Sequence, residues 1–529
     1  MSVMTPYRPA VAAGRDGLAQ LLRAEWTKFR SVRGWVIGMI VAVVVAAGIG
    51  LLGAGGTTSS CQQVGSSGPA RHGAGCMPAF PLGPGGEPVT DSFYFVRQPL
   101  TGDGTITVRV TSLTGLVPSG NLNSPSPSMQ PGLEEWAKAG IIIKENLNQG
   151  SPYAAMMVAA GHGVRMQWNY TAGTPGLPGA VGPANPRWLR LTRAGDVITG
   201  YDSADGTHWA EVGAVTLPGL PSTVQAGLFA ASPEYNSESQ HFGGGVNGSG
   251  GPTQATAVID HVSGLGGPWT GEYIGVADAP GIGRYHQAGG RFTVTGSGDI
   301  APIPAGHGGP ADAATTVTDY LLGTFAGLIA LAVVAALFMT AEYRRNLIRV
   351  TLAASPRRGR ALAAKAIVIG AVSFAAGLAG AAIAVLAGTA ITHARGYYEF
   401  PVPGSTVVRV IIGTGLLAAV SAVLALAVGT MARRGAAAVT IVVAAIVLPY
   451  FLAVAAVVPL GAADWLLRIT PAAGFALQQP YPQYPQVTAI YSASSGYFPL
   501  APWAGFAVTA GWAAAALAGA ACLLRRRDA

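Results

Sequence analysis

The sequence predicts a multi-domain membrane protein, an all-α bundle of six transmembrane helices with an all-β domain inserted between the first and second helices. Half of the 529 residues are apolar and only 11% are charged, whereas about a quarter are charged in ordinary soluble proteins. The apolar residues are concentrated in one short segment near the N-terminus and in the part that follows Tyr320. A polar stretch rich in Gly and Pro separates the two, and this distribution excludes a single large soluble core.

Six apolar runs define the predicted helices, because a helix needs about 20 apolar residues to cross the hydrocarbon core of a bilayer. Buried helices of a soluble protein would be shorter and would carry a polar face, so transmembrane helices are favoured. The predicted spans are Trp35–Leu52, Tyr320–Met339, Ala366–Ile391, Val407–Met431, Ala436–Val458 and Trp503–Leu524. A cleaved signal peptide is the alternative for the first run, but its polar leader is long and no A-x-A site follows it.

The distribution of basic residues predicts the orientation of these helices, since Lys and Arg are enriched in cytoplasmic loops. If both termini are cytoplasmic, the inner segments are 1–34, 341–365, 431–436 and 525–529. These segments hold 18 of the 32 Lys and Arg but only four of the 24 Asp and Glu. We therefore expect a multi-pass plasma-membrane protein with residues 55–314 outside the cell. The basic residues would meet anionic lipid head groups, so the net charge of +8 does not indicate nucleic-acid binding.

Two cysteines follow the first predicted span, and a third lies in the last span. An oxidising environment outside the cell permits a disulfide between Cys61 and Cys76, which would stabilise the start of the inserted domain by about 3 kcal/mol. Two unpaired thiols are the alternative. Cys522 is expected to behave as a small apolar residue.

The inserted domain is predicted to consist of short antiparallel strands. Thr105–Val110 alternates polar and apolar residues, which is the period of a half-buried strand. One hairpin joins Trp188–Arg193 to Val197–Tyr201, and a second turns on Asp205-Gly206, where glycine accepts the positive φ of a tight turn. The other predicted strands are Ala139–Lys144, Tyr153–Ala159, Val164–Tyr170, Gln225–Ala230, Ala255–Val262 and a strand pair ending in Arg291–Asp299. Such regular spacing is typical of an antiparallel sandwich or jelly roll.

Three segments of this domain resemble the concanavalin-like β-sandwich domains of secreted bacterial proteins. They are Trp136–Lys144, Trp188–Arg193 and Tyr201–Trp209, and the resemblance extends over about residues 91–263. It implies a jelly-roll fold of a kind often associated with glycan binding. Four aromatic residues are candidates to stack on sugar rings, although core packing is the commoner role of such side chains: Trp168, Tyr170, Trp188 and Tyr235.

Other chemical signals in the domain are weaker. Asp202, Asp205 and Glu211 would suit glycoside hydrolysis only if two of them faced one sugar across about 5–10 Å, and carboxylates on a solvated hairpin edge are favoured instead. The histidines lack the spacing of zinc ligands, so no metal site is expected. No cofactor is expected either, because the chain contains no G-x-x-x-x-G-K-[ST] phosphate loop.

The membrane part begins with a predicted amphipathic helix, Leu18–Arg33. Apolar residues recur at helical spacing with cations between them, so we expect the helix to lie in the membrane interface, its apolar face in lipid and its cations at the phosphates. The residues assigned to this interface helix are Glu25, Trp26, Lys28, Arg30 and Arg33.

Two segments resemble the permease subunits of type-2 ABC (ATP-binding cassette) transporters. Leu22–Arg33 is similar to their N-terminal interface helix, and Glu342–Arg349 with Pro356–Lys365 is similar to their first cytoplasmic loop. If the basic residues served only to keep this loop on the cytoplasmic side, they would not need to follow an acidic and an aromatic residue or to be followed by a Pro-Arg-Arg turn. In that family the loop carries a coupling helix that binds the ATPase subunit. The resemblance assigns seven residues at or near this contact: Glu342, Tyr343, Arg344, Arg345, Arg349, Arg357 and Arg358.

The resemblance therefore implies an ABC exporter permease that is not itself an enzyme and that is coupled to a separate ATPase subunit. Its expected partners are that subunit, a second copy or a sister permease, membrane lipids, and a cell-wall glycan at the outer domain. Substrate would pass where small residues such as Gly370, Gly377 and Gly380 let helices approach. The alternative is a membrane-anchored glycan-binding or sensor protein without transport activity. The predicted units are 1–34, 35–54, 55–314 and 315–529.

Overall fold

The computed structural model describes residues 17–56, 80–119, 128–240, 246–275, 283–306, 314–344, 358–395 and 399–526. Within this part of the chain, six helices are long and apolar enough to cross a membrane, so the prediction of six such helices is confirmed. The strands all lie between the first and the second of these helices. Cys61 and Cys76, the predicted disulfide, lie outside the described residues.

The ends of the long helices differ from the predicted apolar runs by up to eight residues, the largest difference being at the start of α5. The described helices are α1 Leu18–Ser31, α2 Arg33–Gly56, α3 Val317–Tyr320, α4 Thr324–Arg344, α5 Arg358–Ala394, α6 Gly404–Ala432, α7 Gly435–Val454, α8 Leu460–Ile469 and α9 Pro502–Arg526. The predicted loop 341–365 is therefore too long. Its last part is the first two turns of α5, because the segment is rich in Ala, Leu, Arg and Lys, which are strong helix formers.

α6 lies at the centre of the bundle and packs against α4, α5, α7 and α9. Close approach of α5 depends on Gly377, where an added Cβ would lie 2.5 Å from the Cβ of Ala418 on α6. The prediction that small residues bring helices together is confirmed at this position.

A short 3-10 helix, Pro471–Gln478, is inserted between α6 and α9. All eight of its residues are buried. Gln478 Nε2 donates to Thr324 Oγ1 at 2.9 Å and to Thr414 Oγ1 at 3.1 Å. Arg409 donates to Leu477 O and Gln479 O. These contacts satisfy polar groups that would otherwise be unpaired inside an apolar bundle.

The β domain contains nineteen strands in the described part of the chain. They are β1 Val89–Asp91, β2 Phe93–Thr101, β3 Gly104–Ser119, β4 Ser128–Pro131, β5 Lys138–Lys144, β6 Tyr153–Ala159, β7 Gly163–Trp168, β8 Ala172–Pro175, β9 Arg187–Ala194, β10 Val197–Ser203, β11 Ala210–Thr216, β12 Thr223–Ala231, β13 Tyr235–Gln240, β14 Val246–Gly251, β15 Gln254–Ser263, β16 Thr270–Ile274, β17 Arg284–Ala288, β18 Arg291–Gly296 and β19 Ile300–Pro302.

Two antiparallel sheets stack face to face and bury one apolar core between them. The first sheet has eight strands, in the order β11-β10-β9-β3-β15-β18-β17 with β4 paired to β3. The second has seven, in the order β16-β2-β12-β5-β6-β7-β8. The shared core includes Ile106, Leu189 and Ile141. Both predicted hairpins are present, as β9–β10 and β10–β11, and Gly206 in the second turn has a φ of +77°.

The seven-stranded sheet is buried on both faces at its centre. Every residue of β5 and β6 is buried, whereas the sequence predicted half-buried strands over Ala139–Lys144 and Tyr153–Ala159. The physical reason is that both strands are almost continuously apolar, and residues of β1 and β19, such as Val89 and Ile300, cover the second face.

The β domain packs against the membrane bundle and is not merely tethered to it. Gln486, between the 3-10 helix and α9, donates from Nε2 to Tyr170 O at 2.9 Å. Ala305, at the end of the domain, belongs to a buried cluster with Tyr481 and Tyr497. A displacement of the segment before α9 would therefore act directly on the β domain.

Candidate functional site at the junction of α1, α4 and α5

α1 inserts an aromatic side chain into the bundle. Phe29 is 4% exposed, and its ring centroid lies 5.9 Å from that of Phe338 on α4 and 6.3 Å from that of Trp35 on α2. We predicted that the apolar face of this helix lies in lipid, but the structure buries Phe29 against two helices because aromatic rings there fill the junction. Trp26 remains 47% exposed. α1 is thus fixed to the bundle by part of its apolar face.

Four charged side chains meet where α1 contacts α4 and α5. Lys365 on α5 donates from Nζ to Glu25 Oε2 and to Glu342 Oε1, at 2.6 Å in each case. Lys28 on α1 donates from Nζ to Glu25 Oε1 at 2.9 Å and to Glu342 Oε1 at 3.1 Å. Glu25, Glu342 and Lys365 are 3%, 6% and 2% exposed. We call these four residues the charge cluster.

The charge cluster combines two ammonium groups with two carboxylates. A buried charge costs several kcal/mol unless it is paired and hydrogen-bonded, so the four residues stabilise one another only as a set. The Phe338 ring adds a cation–π contact, with its centroid 5.0 Å from Lys365 Nζ. Within the described part of the chain, Glu342 Oε2 has no hydrogen-bond partner. This oxygen is the remaining acceptor of the charge cluster.

Lys28 forms the solvent-facing edge of the charge cluster. Burial lowers the pKa of its ammonium group, but hydrogen bonding to Glu25 and attraction by Glu342 outweigh burial and raise the pKa overall. The Lys28 side chain is 42% exposed. It therefore keeps its charge at neutral pH, facing water on one side and two carboxylates on the other.

Further contacts join the helix ends that flank residues 345–357. The Tyr343 hydroxyl donates to Thr430 O near the end of α6 at 3.5 Å, and the Arg433 guanidinium lies 5.3 Å from the Tyr343 ring centroid. Arg358 Nη1 donates to Leu524 O in the last turn of α9 at 2.6 Å, and a cation there complements the helix dipole. The ends of α4, α5, α6 and α9 are therefore linked at one edge of the bundle.

The residues assigned to ATPase coupling are only partly on an open loop. Glu342 and Tyr343 lie in the last turn of α4, and Arg358 begins α5. The Glu342 carboxylate is buried beside Lys28 and Lys365, so the predicted loop 341–365 begins within the last turn of α4. Arg344 is described only as the last residue of α4, and Arg345, Arg349 and Arg357 lie outside the described residues. Of the residues assigned to the interface helix, Trp26 and Arg30 are exposed on α1, and Arg33 is exposed as the first residue of α2.

Lys365 is the member of the charge cluster that sequence reasoning did not identify. One signal was available, since Glu342 and Lys365 are charges at the ends of long apolar runs and Glu25 is the one acid in α1. Charges next to apolar segments persist where they find partners. The pairing itself was not predictable, because Glu25 and Lys365 are 340 positions apart in the chain.

Two of the candidate glycan-contact residues, Tyr170 and Trp168, pack inside the β domain. Tyr170 takes the core-packing alternative, since it is fully buried and its ring centroid lies 4.9 Å from that of Tyr153. The reason is that the second face of the seven-stranded sheet is covered. Trp168, at the end of β7, packs against the core between the two sheets.

The other two aromatic candidates lie on different sheets. Trp188, on β9 of the eight-stranded sheet, is partly exposed, with the Arg109 guanidinium 5.6 Å and the His261 ring 5.2 Å from its ring centroid. Tyr235 is partly exposed at the start of β13, in a separate two-stranded ribbon. The structure therefore does not bring the four candidates together on one face.

The candidate carboxylates take structural positions. Asp202 is 2% exposed and accepts from Leu177 N at 2.6 Å, so the expectation that it lies on a solvated edge is wrong. Asp205 is exposed and closes the hairpin turn. A hydrogen bond from His208, together with backbone N–H groups, holds the pKa of Asp205 well below its usual range. Glu211 is exposed on β11.

No family model matches this chain, and no curated protein matches it either. A functionally unknown protein from Saccharomyces cerevisiae is similar to 33% of this chain and 76% of its own, at 17% identity and a TM-score of 0.21. Scytalido-glutamic peptidase with a transition state analog inhibitor is similar to 40% of this chain and 100% of its own, at 11% identity and a TM-score of 0.22. Its complex with a peptide-based transition state analog covers 39% of this chain and 98% of its own, at 10% identity and a TM-score of 0.20. Scores this low carry no argument about function.

The surroundings of Trp188 give a pH prediction. Arg109 donates twice to Asp260, at 2.8 Å each, and this hydrogen bonding lowers the pKa of Asp260 to about 2. Since the folded-state pKa is depressed, the stabilisation is present above the unfolded-state pKa and is lost as the pH falls towards 2. We expect Arg109→Met to raise the pKa of Asp260, which His261 still holds below its ordinary value, and to cost about 1 kcal/mol at neutral pH. An NMR titration of Asp260 and unfolding at several pH values measure both effects, and an unchanged pKa in the variant would contradict the assignment.

Proposed function

We propose that this chain is the membrane-spanning permease subunit of an ATP-driven ABC transporter, an exporter that is coupled to a separate ATPase subunit and is not itself an enzyme. In this proposal both termini and residues 345–357 face the cytoplasm, and the β domain is a jelly roll outside the cell. The functional unit is a homodimer or a pair with a sister permease. The observation that carries the proposal is the charge cluster, because it fastens α1 to both helices that flank residues 345–357.

The charge cluster supports coupling for a mechanical reason. Glu342 lies in the last turn of α4, and Lys365 lies about two turns after the start of α5. Lys365 is paired with Glu25 of α1 through a buried contact, and Glu342 is paired with the partly exposed Lys28 of α1; separating the buried pair is costly. A displacement of residues 345–357 by a bound ATPase would therefore move α1, α4 and α5 as one unit.

Co-purification tests this proposal. A tagged chain should retain an ATPase subunit, and the double change Glu342→Lys with Arg345→Glu should abolish that association, since it reverses charge at the buried site and in the adjoining segment. Arg291→Glu, on an exposed residue of β18, is the control and should leave the association intact. Arg345→Glu alone leaves the four residues of the charge cluster unchanged. Loss of the ATPase in this variant would therefore reflect a lost contact with the ATPase and not a misfolded chain. Failure of the wild-type chain to retain any ATPase would overturn the proposal.

The alternative function, a membrane-anchored glycan-binding or sensor protein, draws on one observation. The eight-stranded sheet leaves Trp188 partly exposed beside Arg109, which is an arrangement that can stack on a sugar ring. Glycan binding by the full chain, together with no export and no associated ATPase, would favour this alternative over the permease.

A further inference from the structure

The two strands at the boundaries of the β domain, β1 and β19, are held on the seven-stranded sheet by the two lysines of β5. Lys138 begins β5 and Lys144 ends it, and both side chains are fully buried. Lys144 pairs with Asp91, the last residue of β1, and Lys138 pairs with Asp299, next to β19. Each lysine connects the centre of the sheet to a strand near which the chain enters or leaves the domain.

The contact between Lys144 and Asp91 is short and excludes water. Lys144 Nζ lies 2.7 Å from Asp91 Oδ2, and both side chains are 0% exposed. The same oxygen accepts from the Tyr170 hydroxyl at 2.7 Å and from Gly150 N at 2.9 Å. Asp91 Oδ1 has no hydrogen-bond partner among the residues that the structure describes. The three donors therefore converge on one oxygen of the carboxylate.

The surroundings favour loss of a proton from Lys144. Burial lowers the pKa of the Lys144 ammonium, although attraction to Asp91 opposes this effect. The neighbouring cluster consists of apolar and aromatic side chains, including Phe93, Ile142 and Tyr153. A desolvated lysine with a lowered pKa is a nucleophile towards carbonyl carbon.

We propose that Lys144 and Asp91 form an intramolecular amide bond. The Asp91 carboxylate takes one proton from Nζ, and the neutral amine attacks Cγ of Asp91. The C–N bond forms, the bond from Cγ to Oδ1 breaks, and Oδ1 leaves as water with the two protons that Nζ has lost. One ammonium and one carboxylate become one amide and one water, so the step needs no oxidant, reductant or co-substrate.

Tyr170 and Gly150 supply the donors that this step requires. Negative charge develops on Oδ2 in the tetrahedral intermediate, and preorganised donors at that position stabilise it. Burial raises the pKa of Tyr170, so its hydroxyl stays protonated. Gly150 is suited to the position because its φ is +82° and an added Cβ would lie 2.2 Å from Leu82 O.

The second lysine of β5 provides an internal comparison. Lys138 Nζ lies 2.6 Å from Asp299 Oδ1, but the Asp299 side chain is 13% exposed. This oxygen accepts from Ile300 N at 2.8 Å, and within the described residues no tyrosine hydroxyl donates to it. Water reaches this pair, and the carboxylate oxygen has no counterpart of the Tyr170 hydroxyl among its donors in the described part of the chain. We therefore expect Lys138 and Asp299 to remain an ion pair.

Peptide mapping of the purified full chain tests the amide bond. A tryptic digest should contain a branched peptide that joins the segments holding Asp91 and Lys144. Its mass should be one water less than the sum of the two peptides. The chain should also remain uncleaved after Lys144, because trypsin does not cleave after an acylated lysine. This branched peptide should replace nearly all of the linear peptides. Ordinary cleavage after Lys144 with both linear peptides at their sequence masses would overturn the proposal, as would a branch found only at Lys138.

Two variants extend the test. Lys144→Arg keeps the positive charge but cannot form the amide, so the branched peptide should disappear and the Asp91 peptide should return in linear form. Tyr170→Phe keeps the ring and removes one donor, so the branched peptide should accumulate more than about tenfold more slowly after synthesis. Circular dichroism shows whether each variant is folded. An unchanged rate in folded Tyr170→Phe would overturn the role assigned to the hydroxyl.

Discussion

Replacement of Lys365 by methionine is expected to destabilise the membrane bundle by about 3–5 kcal/mol, the cost of removing one partner from a buried charge pair. Methionine fills a similar volume, so the loss is electrostatic. Without the Lys365 ammonium, the carboxylates of Glu25 and Glu342 keep only Lys28, which is partly exposed. We expect a lower unfolding temperature in detergent and faster hydrogen exchange over α1, because Glu25 no longer holds that helix to α5.

The control for this prediction lies on the same helix. Arg360 is exposed, so Arg360→Met removes an equal charge without opening a buried pair, and its effect on stability should be under about 0.5 kcal/mol. The double variant Lys365→Met with Glu342→Gln restores part of the charge balance and should be more stable than Lys365→Met alone. Equal stabilities of Lys365→Met and Arg360→Met would show that the charge cluster does not hold α1.

Replacement of Gly377 by leucine is expected to separate α5 from α6 and to cost at least about 1–3 kcal/mol through overpacking. Even a Cβ at this position would lie 2.5 Å from the Cβ of Ala418 and 3.2 Å from the Cα of Gly415. Both neighbours are on α6 and neither can rotate away, so the helix axes themselves must move apart. If substrate passes along this seam, transport should fall together with stability.

Gly511 on α9 is the matched control for Gly377. It also lies within a long apolar helix, but an added Cβ meets nothing within 4 Å, so Gly511→Leu should be tolerated. Thermal unfolding of the two variants in the same detergent separates overpacking from the general effect of replacing a helical glycine. Similar unfolding temperatures for the two variants would contradict the close approach of α5 and α6 at Gly377.

Local pattern was sufficient to predict the two kinds of structure in this chain. Runs of apolar residues long enough to span a bilayer predicted the six helices, and the turn at Asp205-Gly206 predicted the hairpin between β10 and β11. These features depend on neighbours in sequence, namely hydrophobic period, segment length and the φ that glycine permits.

The candidate site depended on contacts that no local pattern encodes. The sequence placed Glu25 in an interface helix and Glu342 in a loop, and gave Lys365 no role. It likewise left Tyr170 open between sugar stacking and core packing, and the structure buries the residue under strands from both ends of the β domain. A charge or an aromatic ring looks the same in sequence whether it faces water or a partner hundreds of positions away.

The sequence by itself determined the six long apolar helices and the antiparallel strands between them, because apolar length and turn chemistry are local properties. Only the tertiary structure decided which charges are buried together, namely Lys365 and Lys28 with Glu25 and Glu342, and Lys144 with Asp91. The reason is energetic: a buried charge is tolerated only beside its partner, and the fold alone brings such partners within hydrogen-bonding distance.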